Sequence, residues 1–584
     1  MNSRMSSRSS RSVVLTVAAF LSLTCLASAS SVNAINLSVS PNPTKVKQKV
    51  TLTSAVTTNK KPATGGTVIF FDGLLPLASS QVVGTKPAKG YATGSAVLTT
   101  ILAPGVHRLR AVYEGTAESP QVVSSKIVSL KVTGKTGSAT LLSAKHDAKH
   151  SRNYDFMAVV QGFGLPAPTG MVDFSDITTK TDLGMVLLDP KSALQTFAAG
   201  LVSNANGSPA QSVVADFNND GWPDVAVADA AFGPSTVAVF LGKANGQFQA
   251  PVSYSTPYFT SGIVTGDFNN DGILDLAAMS QAGDVDIFLG NGDGTFQTTP
   301  LSDTVGGLPV AITVGDFNRD GILDFATIDY FANTASVSLG KGDGTFAPPV
   351  PYQIGSGPYS LATADFNGDG FADLVAVNDN DSTVSVLLGK GDGTFNLQKV
   401  FRAGMQVEFV VTGDLNADGK PDIVVANYGE KTVGILLGNG DGTFQKQVAY
   451  NVTGNESGLA IADVNGDGIP DVVAAYYHPE QLGVLLGKGD GTFATVRNYN
   501  TGQSQGFAVT VADLNGDGTN DLISSDIHAS ISVLLNVTTA SAKLNDIAVP
   551  GTSKDVEEIV TAYPGDSRHK GSKSKPVKVK GSGL

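Results

Sequence analysis

Seven segments of the chain repeat oxygen-bearing side chains at one spacing, Asp-x-Asn-x-Asp-Gly-x-x-Asp, beginning at Asp216, Asp267, Asp316, Asp365, Asp414, Asp463 and Asp513. Side-chain oxygens at positions 1, 3, 5 and 9, with a backbone carbonyl at 7, can wrap a hard cation, and Gly at 6 permits the sharp bend. The candidate ligands of the first loop are Asp216, Asn218, Asp220, the carbonyl of Trp222, and Asp224. The second has Asp267, Asn269, Asp271, Ile273 and Asp275, and the third Asp316, Asn318, Asp320, Ile322 and Asp324. The fourth has Asp365, Asn367, Asp369, Phe371 and Asp373, and the fifth Asp414, Asn416, Asp418, Lys420 and Asp422. The last two have Asp463, Asn465, Asp467, Ile469 and Asp471, then Asp513, Asn515, Asp517, Thr519 and Asp521. Calcium, up to seven ions, fits this all-oxygen set, whereas soft metals want Cys or His. The chain has one cysteine and six scattered histidines. The plainer reading is that Asp and Asn cap turns. Seven copies with every side-chain position filled favour the cation.

These loops recur at intervals of 51, 49, 49, 49, 49 and 50 residues. Each is followed by a short alternating strand, a polar turn, a second strand and, in most copies, Gly-[Lys/Asn]-Gly-Asp-Gly-Thr-Phe. Gly-Asp-Gly suits a tight hairpin, and the Phe after it, such as Phe395, is expected to fill the space between neighbouring sheets. Four strands per period of about 49 residues read as a propeller blade. The copies resemble FG-GAP or VCBS-type repeats and are similar to the calcium-loop blades of integrin α-subunit propellers, a resemblance covering 197–536. No Glu closes the loop at position 12, and strands rather than helices flank it, which disfavours an EF-hand. The last copy lacks an outer strand, and Phe197 to Ser203 aligns with the outer strand of the next copy. The N-terminal segment is therefore expected to complete blade seven and close the ring.

The elements that must hold these loops follow from composition. The chain has 584 residues, 41% of them hydrophobic and 16% charged, with 66 Gly and 27 Pro punctuating β-branched runs. That excludes disorder and indicates an all-β chain. A net charge of -13 and a pI near 4.9 argue against a nucleic-acid partner. Residues 1–29 read as a secretory signal: Arg4, Arg8 and Arg11, an apolar run from Val13 to Leu26, then Ala27-Ser28-Ala29. No later run is long enough for a transmembrane segment. The only cysteine, Cys25, lies in that signal behind Thr24, a poor lipoprotein box, so no internal disulfide is available. Calcium can replace it as the staple, and seven ions would balance most of the acidic excess.

The flanks read as sandwiches. Residues 35–134 resemble a bacterial Ig-like repeat, most specifically in Gly-x-x-x-Leu-x-Ala-x-Tyr-x-Gly from Gly105 to Gly115. A second copy begins at Ser138 and breaks off near 192. Its missing half aligns beyond the repeats, at 540–581, where Tyr563-Pro564-Gly565 matches Tyr113-Glu114-Gly115. The expected architecture is a seven-bladed β-propeller inserted in an Ig-like β-sandwich and preceded by another Ig-like β-sandwich. The alternative for 540–581 is a disordered basic tail.

No catalytic constellation stands out. Gly502-Gln503-Ser504-Gln505-Gly506 matches a nucleophile elbow but has no helix after it. Lys-Gly-Asp at 341–343, 390–392 and 488–490 belongs to the repeated hairpin. The face opposite the Asp loops is where the copies differ most, with Phe232, Tyr258, Tyr330, Phe331, Tyr359, Tyr428, Tyr476, Tyr477, His478 and His528 as candidate ligand-contacting residues. Any one of these can instead pack between loops. The leading expectation is a secreted or cell-surface, non-enzymatic, calcium-binding adhesion or recognition protein whose partner is an extracellular glycan or surface protein. The alternatives are a polysaccharide lyase or hydrolase, with His478-Pro479-Glu480 as a faint candidate site, and a structural envelope spacer.

Overall fold

A computed structural model describes the chain between Val32 and Lys580 except for short connections, the longest being 59–66, 85–91 and 147–152. The signal segment, Phe232, His528 and 502–505 lie outside the described residues. Every regular element among the described residues is a β-strand.

Residues 32–133 form two sheets. One joins Val32–Ser40, Lys49–Thr58, Ala92–Ile101 and Val83–Gly84; the other is centred on Thr67–Asp72 paired with Gly105–Thr116. Val50, Leu52, Val56, Val68, Ala96 and Ala111 are buried. The alternation of Val50, Leu52 and Val56 with polar residues is what a sheet with one dry face requires.

Residues 201–534 form seven four-stranded antiparallel sheets. Their first strands are, in order, Pro209–Ala215, Thr260–Gly266, Pro309–Gly315, Pro358–Ala364, Val407–Gly413, Asn455–Ala462 and Gly506–Ala512. Each first strand packs beside the next, and that of the seventh sheet packs beside that of the first. The fourth strand of the seventh sheet comes from the other end of the repeats: Leu201–Asn204 pairs with Ser530–Leu534, Leu201 opposite Val533. Burial falls from the second strands outwards. Asp373–Asn378 is buried along its whole length, whereas the fourth strand Lys399–Arg402 alternates half-buried and exposed. Such a gradient lets β-branched runs serve both faces of the inner strands.

A separate unit is built from residues on either side of these sheets. One sheet runs Ser138–His146, Tyr154–Phe163, Asn536–Ile547, Asp189–Phe197, with Phe156 opposite Leu544 and Phe197 opposite Asn536. The other runs Thr181–Leu187, Met171–Asp176, Val556–Gly565, Lys570–Lys573, with Val577–Lys580 also on Val556–Gly565. Phe197, expected in an outer strand of the repeats, instead ends a strand of this unit, because its backbone is claimed by Asn536. The shared core contains Tyr154, Phe156, Phe174, Leu188, Ile559, Tyr563 and Val579. Ending the chain after Leu535 removes Ile559, Tyr563 and Val579 from that core. Losing aromatic and aliphatic partners on this scale costs several times the roughly 3–5 kcal/mol of a single large-to-small change. Limited proteolysis is expected to cut such a truncated chain within 138–192 while sparing 209–534. Equal resistance of 138–192 in both chains contradicts the shared core.

Candidate cation-binding loops

Each Asp loop joins the first strand of its sheet to the second, and in the first six the position-3 Asn accepts from the amide of the position-5 Asp. In the fourth sheet, Asp365 Oδ1 accepts from the amide of Asp369 at 3.2 Å, and its Oδ2 from that of Gly370 at 2.9 Å. Asn367 Oδ1 accepts from the same Asp369 amide, and Asp369 Oδ1 from the amide of Phe371, each at 2.9 Å. Gly370 has φ 86°, the left-handed conformation that position 6 demands. Asp373, at position 9, is fully buried and accepts from the amides of Phe366 at 2.8 Å and Gly389 at 2.7 Å. It thereby ties the loop to Gly389, two residues past the third strand Thr383–Leu387.

The loops also bind neighbouring sheets together. The Gly393 amide, in the Gly-Asp-Gly turn of the fourth sheet, donates to the Phe317 carbonyl in the third sheet's loop at 3.0 Å. Phe395 meets Phe317 edge-on with centroids 5.6 Å apart, and both sit in one core cluster with Ala326, Val337 and Leu374. Phe217 with Phe296 and Phe366 with Phe444 repeat the contact. This Phe fills the space between sheets, as expected from its spacing.

The electrostatics of the loops are those of like charges held close together. Burial first, and then the carboxylates at positions 1 and 5, push the position-9 carboxyl upward: to about 6 in Asp275, about 7 in Asp224, Asp324, Asp422 and Asp471, and about 8 in Asp373. Two backbone N–H bonds oppose the shift in each case. In the fifth loop the Lys420 ammonium stands 3.6 Å from Asp418. Among the described residues no three His, Cys, Asp or Glu side chains already lie at metal-holding distance. The carboxylates are turned onto backbone N–H groups. In the seventh loop both polar atoms of the Asn515 amide are buried without a hydrogen-bond partner. The donor set is all oxygen and strongly acidic, and Asn515 lacks the partner that a cation would supply; the residues present fit calcium.

The FG-GAP-like repeat family matches at 216–278, 267–327, 325–376, 365–425, 414–474 and 463–524. The chain belongs to that family. The six matched FG-GAP-like segments start at or near successive Asp loops, and the seventh loop closes the last of them. Residues 37–133 match the bacterial Ig-like domain, group 3. Among solved structures, a Lactobacillus plantarum protein is similar at 14% identity, with 58% of this chain and 98% of that one covered and a TM-score of 0.43. A putative 6-phosphogluconolactonase from Bacteroides uniformis is similar at 16% identity over 56% of this chain and 95% of its own, with a TM-score of 0.40. No curated protein matches. No helix among the described residues is long and apolar enough to cross a membrane.

At the other end of the FG-GAP-like sheets, Tyr258 and Phe331 are exposed, by 53% and 73%, and His478 is exposed too. Tyr330, Tyr359, Tyr428 and Tyr477 are half-buried. Tyr476 corrects the sequence reading: it is fully buried among Leu415, Val424, Leu485 and Phe493. Tyr476 is the sixth residue of the second strand Asp471–His478, the position that Asn378 and Asn427 hold, also fully buried, in the fourth and fifth sheets. Gly483 makes room for it, since a Cβ there would lie 1.8 Å from the tyrosyl oxygen. Glu408, Glu456 and Asp379 were missed from sequence. Burial comes first in pushing all three up, Glu408 to about 7 and Glu456 to about 8.

The raised position-9 carboxyls set the pH response without metal. A folded-state pKa above the unfolded one means that the folded chain holds extra protons, so the benefit is complete below about pH 4 and is lost as pH rises through 6 to 8. In chelator the repeats are expected to melt at a higher temperature at pH 5 than at pH 8. A flat profile in thermal scans, or the opposite slope, contradicts the crowding of carboxylates described here.

Proposed function

We propose that this chain is a secreted or cell-surface recognition protein of the adhesion class, whose seven sheets are the blades of a closed, calcium-stabilised β-propeller inserted in a split Ig-like sandwich. Asp, Asn and Asp at positions 1, 3 and 5, the carbonyl at 7 and Asp at 9 would hold each ion. Bound calcium would supply a positive centre that offsets carboxylate repulsion. The observation that carries the reading is the recurrence, in six loops, of a buried position-9 carboxyl acted on by the same two acidic neighbours. The seventh loop adds the unpartnered amide of Asn515. Pairing of Leu201–Asn204 with Ser530–Leu534 and the neighbouring first strands support ring closure. The strands of 536–580 laid on those of 138–197 support the insertion. Recognition is assigned to the face opposite the loops, where Tyr258, Phe331 and His478 are exposed, with a glycan or surface protein as partner.

Two measurements test this. Calcium at a hundredfold excess over a dissociation constant on the order of 10⁻⁴ M raises stability by about 2.7 kcal/mol per intact site. Isothermal titration is expected to lose one equivalent of calcium in Asp369→Ala, which removes a carboxylate from one loop alone. Asp373→Ala is expected to cost about 2–5 kcal/mol even in chelator, because two backbone amides lose their acceptor. A melting temperature indifferent to calcium leaves turn capping as the loops' only work. For recognition, the Tyr258→Ala/Phe331→Ala variant is expected to lose adhesion or glycan-array binding with its melting temperature unchanged. Retained binding assigns recognition to another surface.

A further inference from the structure

We propose that a cluster of acids and tyrosines, carried by the third to sixth sheets on the face opposite the Asp loops, binds an uncharged, polyhydroxylated saccharide unit. The inference rests on the reading of that face as the recognition surface and deepens it by naming the site and the ligand chemistry.

Three turns place the cluster. The amides of Tyr330, Asp379 and Tyr428 each leave a second strand and donate to the carbonyl just before the first strand of the same sheet, those of Leu308, Gly357 and Gln406, at 3.4, 2.9 and 3.0 Å. These side chains therefore start at equivalent points of the third, fourth and fifth sheets. Beside them, the second residue of the first strand is Tyr359 in the fourth sheet and Glu408 in the fifth, where the first three sheets carry Ala210, Ser261 and Val310. The tyrosyl ring of Tyr359 meets Phe409 edge-on at 6.1 Å, which fixes it on the fifth sheet. Its hydroxyl is pushed up to about 12, first by burial and then by Glu408, Asp379, Tyr330 and Tyr428 together. The polar ends of these five residues thus face one region.

Behind them lies Glu456, on the first strand of the sixth sheet. It is fully buried, and neither of its carboxyl oxygens has a hydrogen-bond partner. Burial and then Glu408 push it up to about 8, with Lys431 opposing. Asp379 Oδ1 is likewise buried and unpartnered. Buried polar atoms without partners are rare enough in folded proteins to indicate an unfilled ligand or water position.

The chemistry selects the ligand. An anionic group would meet one lysine, Lys431, against three acids, each of which repels it once ionised. An ammonium or guanidinium needs ionised acceptors, but burial holds Glu408 and Glu456 toward the neutral form at pH 7, and a neutral carboxyl both donates and accepts. Donor-acceptor carboxyls beside tyrosyl rings match hydroxyl groups around an apolar C–H face. A neutral sugar ring presents both.

The test uses the full chain in calcium-containing buffer and isothermal titration with cellohexaose, laminarihexaose and mannohexaose, against hexagalacturonate and hexalysine. At least one neutral hexasaccharide is expected to bind, and Glu408→Ala or Tyr359→Ala to weaken it by about tenfold or more, a typical cost of losing an acceptor or a ring. Glu408→Gln, which still donates and accepts, is expected to restore binding to within about threefold of the parent chain. Thermal scans of each variant separate loss of the site from loss of folding. Absence of binding by all three neutral probes overturns the proposal. So does hexalysine binding abolished by Glu408→Gln, since that marks a cation site. If saccharide binding survives Glu408→Ala and Tyr359→Ala but is lost in Tyr258→Ala/Phe331→Ala, the face is still the recognition surface and this cluster is not its site.

Discussion

A buried carboxylate holding two backbone amides is the interaction on which the repeats depend. Asp373 joins the start of its own loop, through Phe366, to the end of the third strand, through Gly389. Asp224, Asp275, Asp324, Asp422 and Asp471 do the same in their sheets. Burying a carboxylate is unfavourable unless its oxygens are bonded, and two amide donors meet that need. The arrangement creates its own difficulty, because two further carboxylates of the same loop crowd the buried one. Electrostatic repulsion and hydrogen-bond geometry therefore act against each other in these six loops.

The Gly-Asp-Gly turns pass this local order from sheet to sheet. Four of the turns place a Phe edge-on against the loop Phe of the preceding sheet, and three of these also set a glycine amide on its carbonyl, so loop geometry and inter-sheet packing rise or fall together. The opposite end of the sheets carries no such fixed pattern. There Phe331 stands exposed, while Tyr359 and Tyr428 are half-buried at positions where other copies hold different residues.

How far this was readable from sequence follows from the same physics. Positions fixed by the backbone were legible: Gly at position 6 needs a positive φ, and Asp and Asn spaced two apart cap successive amides. The Phe after Gly-Asp-Gly repeats at one period because neighbouring sheets leave one gap to fill. That residues on both sides of the repeats share one unit could be inferred because Tyr563-Pro564-Gly565 carries the Tyr-x-Gly of Tyr113-Glu114-Gly115. Tyr476 was misread because the space over Gly483 that receives its side chain has no local signature. Glu408 and Glu456 were invisible for a related reason. A lone acid in a strand reads as solvent-facing, and only the packing of neighbouring first strands brings half-buried Glu408 toward fully buried Glu456.

The pairing of Phe197 with Asn536 has a mechanical consequence. The chain leaves the split unit for the seven sheets and returns to it at two residues that are partners in one ladder. Tension applied between the two flanks of the chain acts at the Asp189 end of Asp189–Phe197 and the Ile547 end of Asn536–Ile547, neighbouring ends of one antiparallel ladder, and so peels it open from that end. The sheets between them are out of the line of force until this ladder has parted. Until then the loops and the cluster that those sheets carry stay at rest under load.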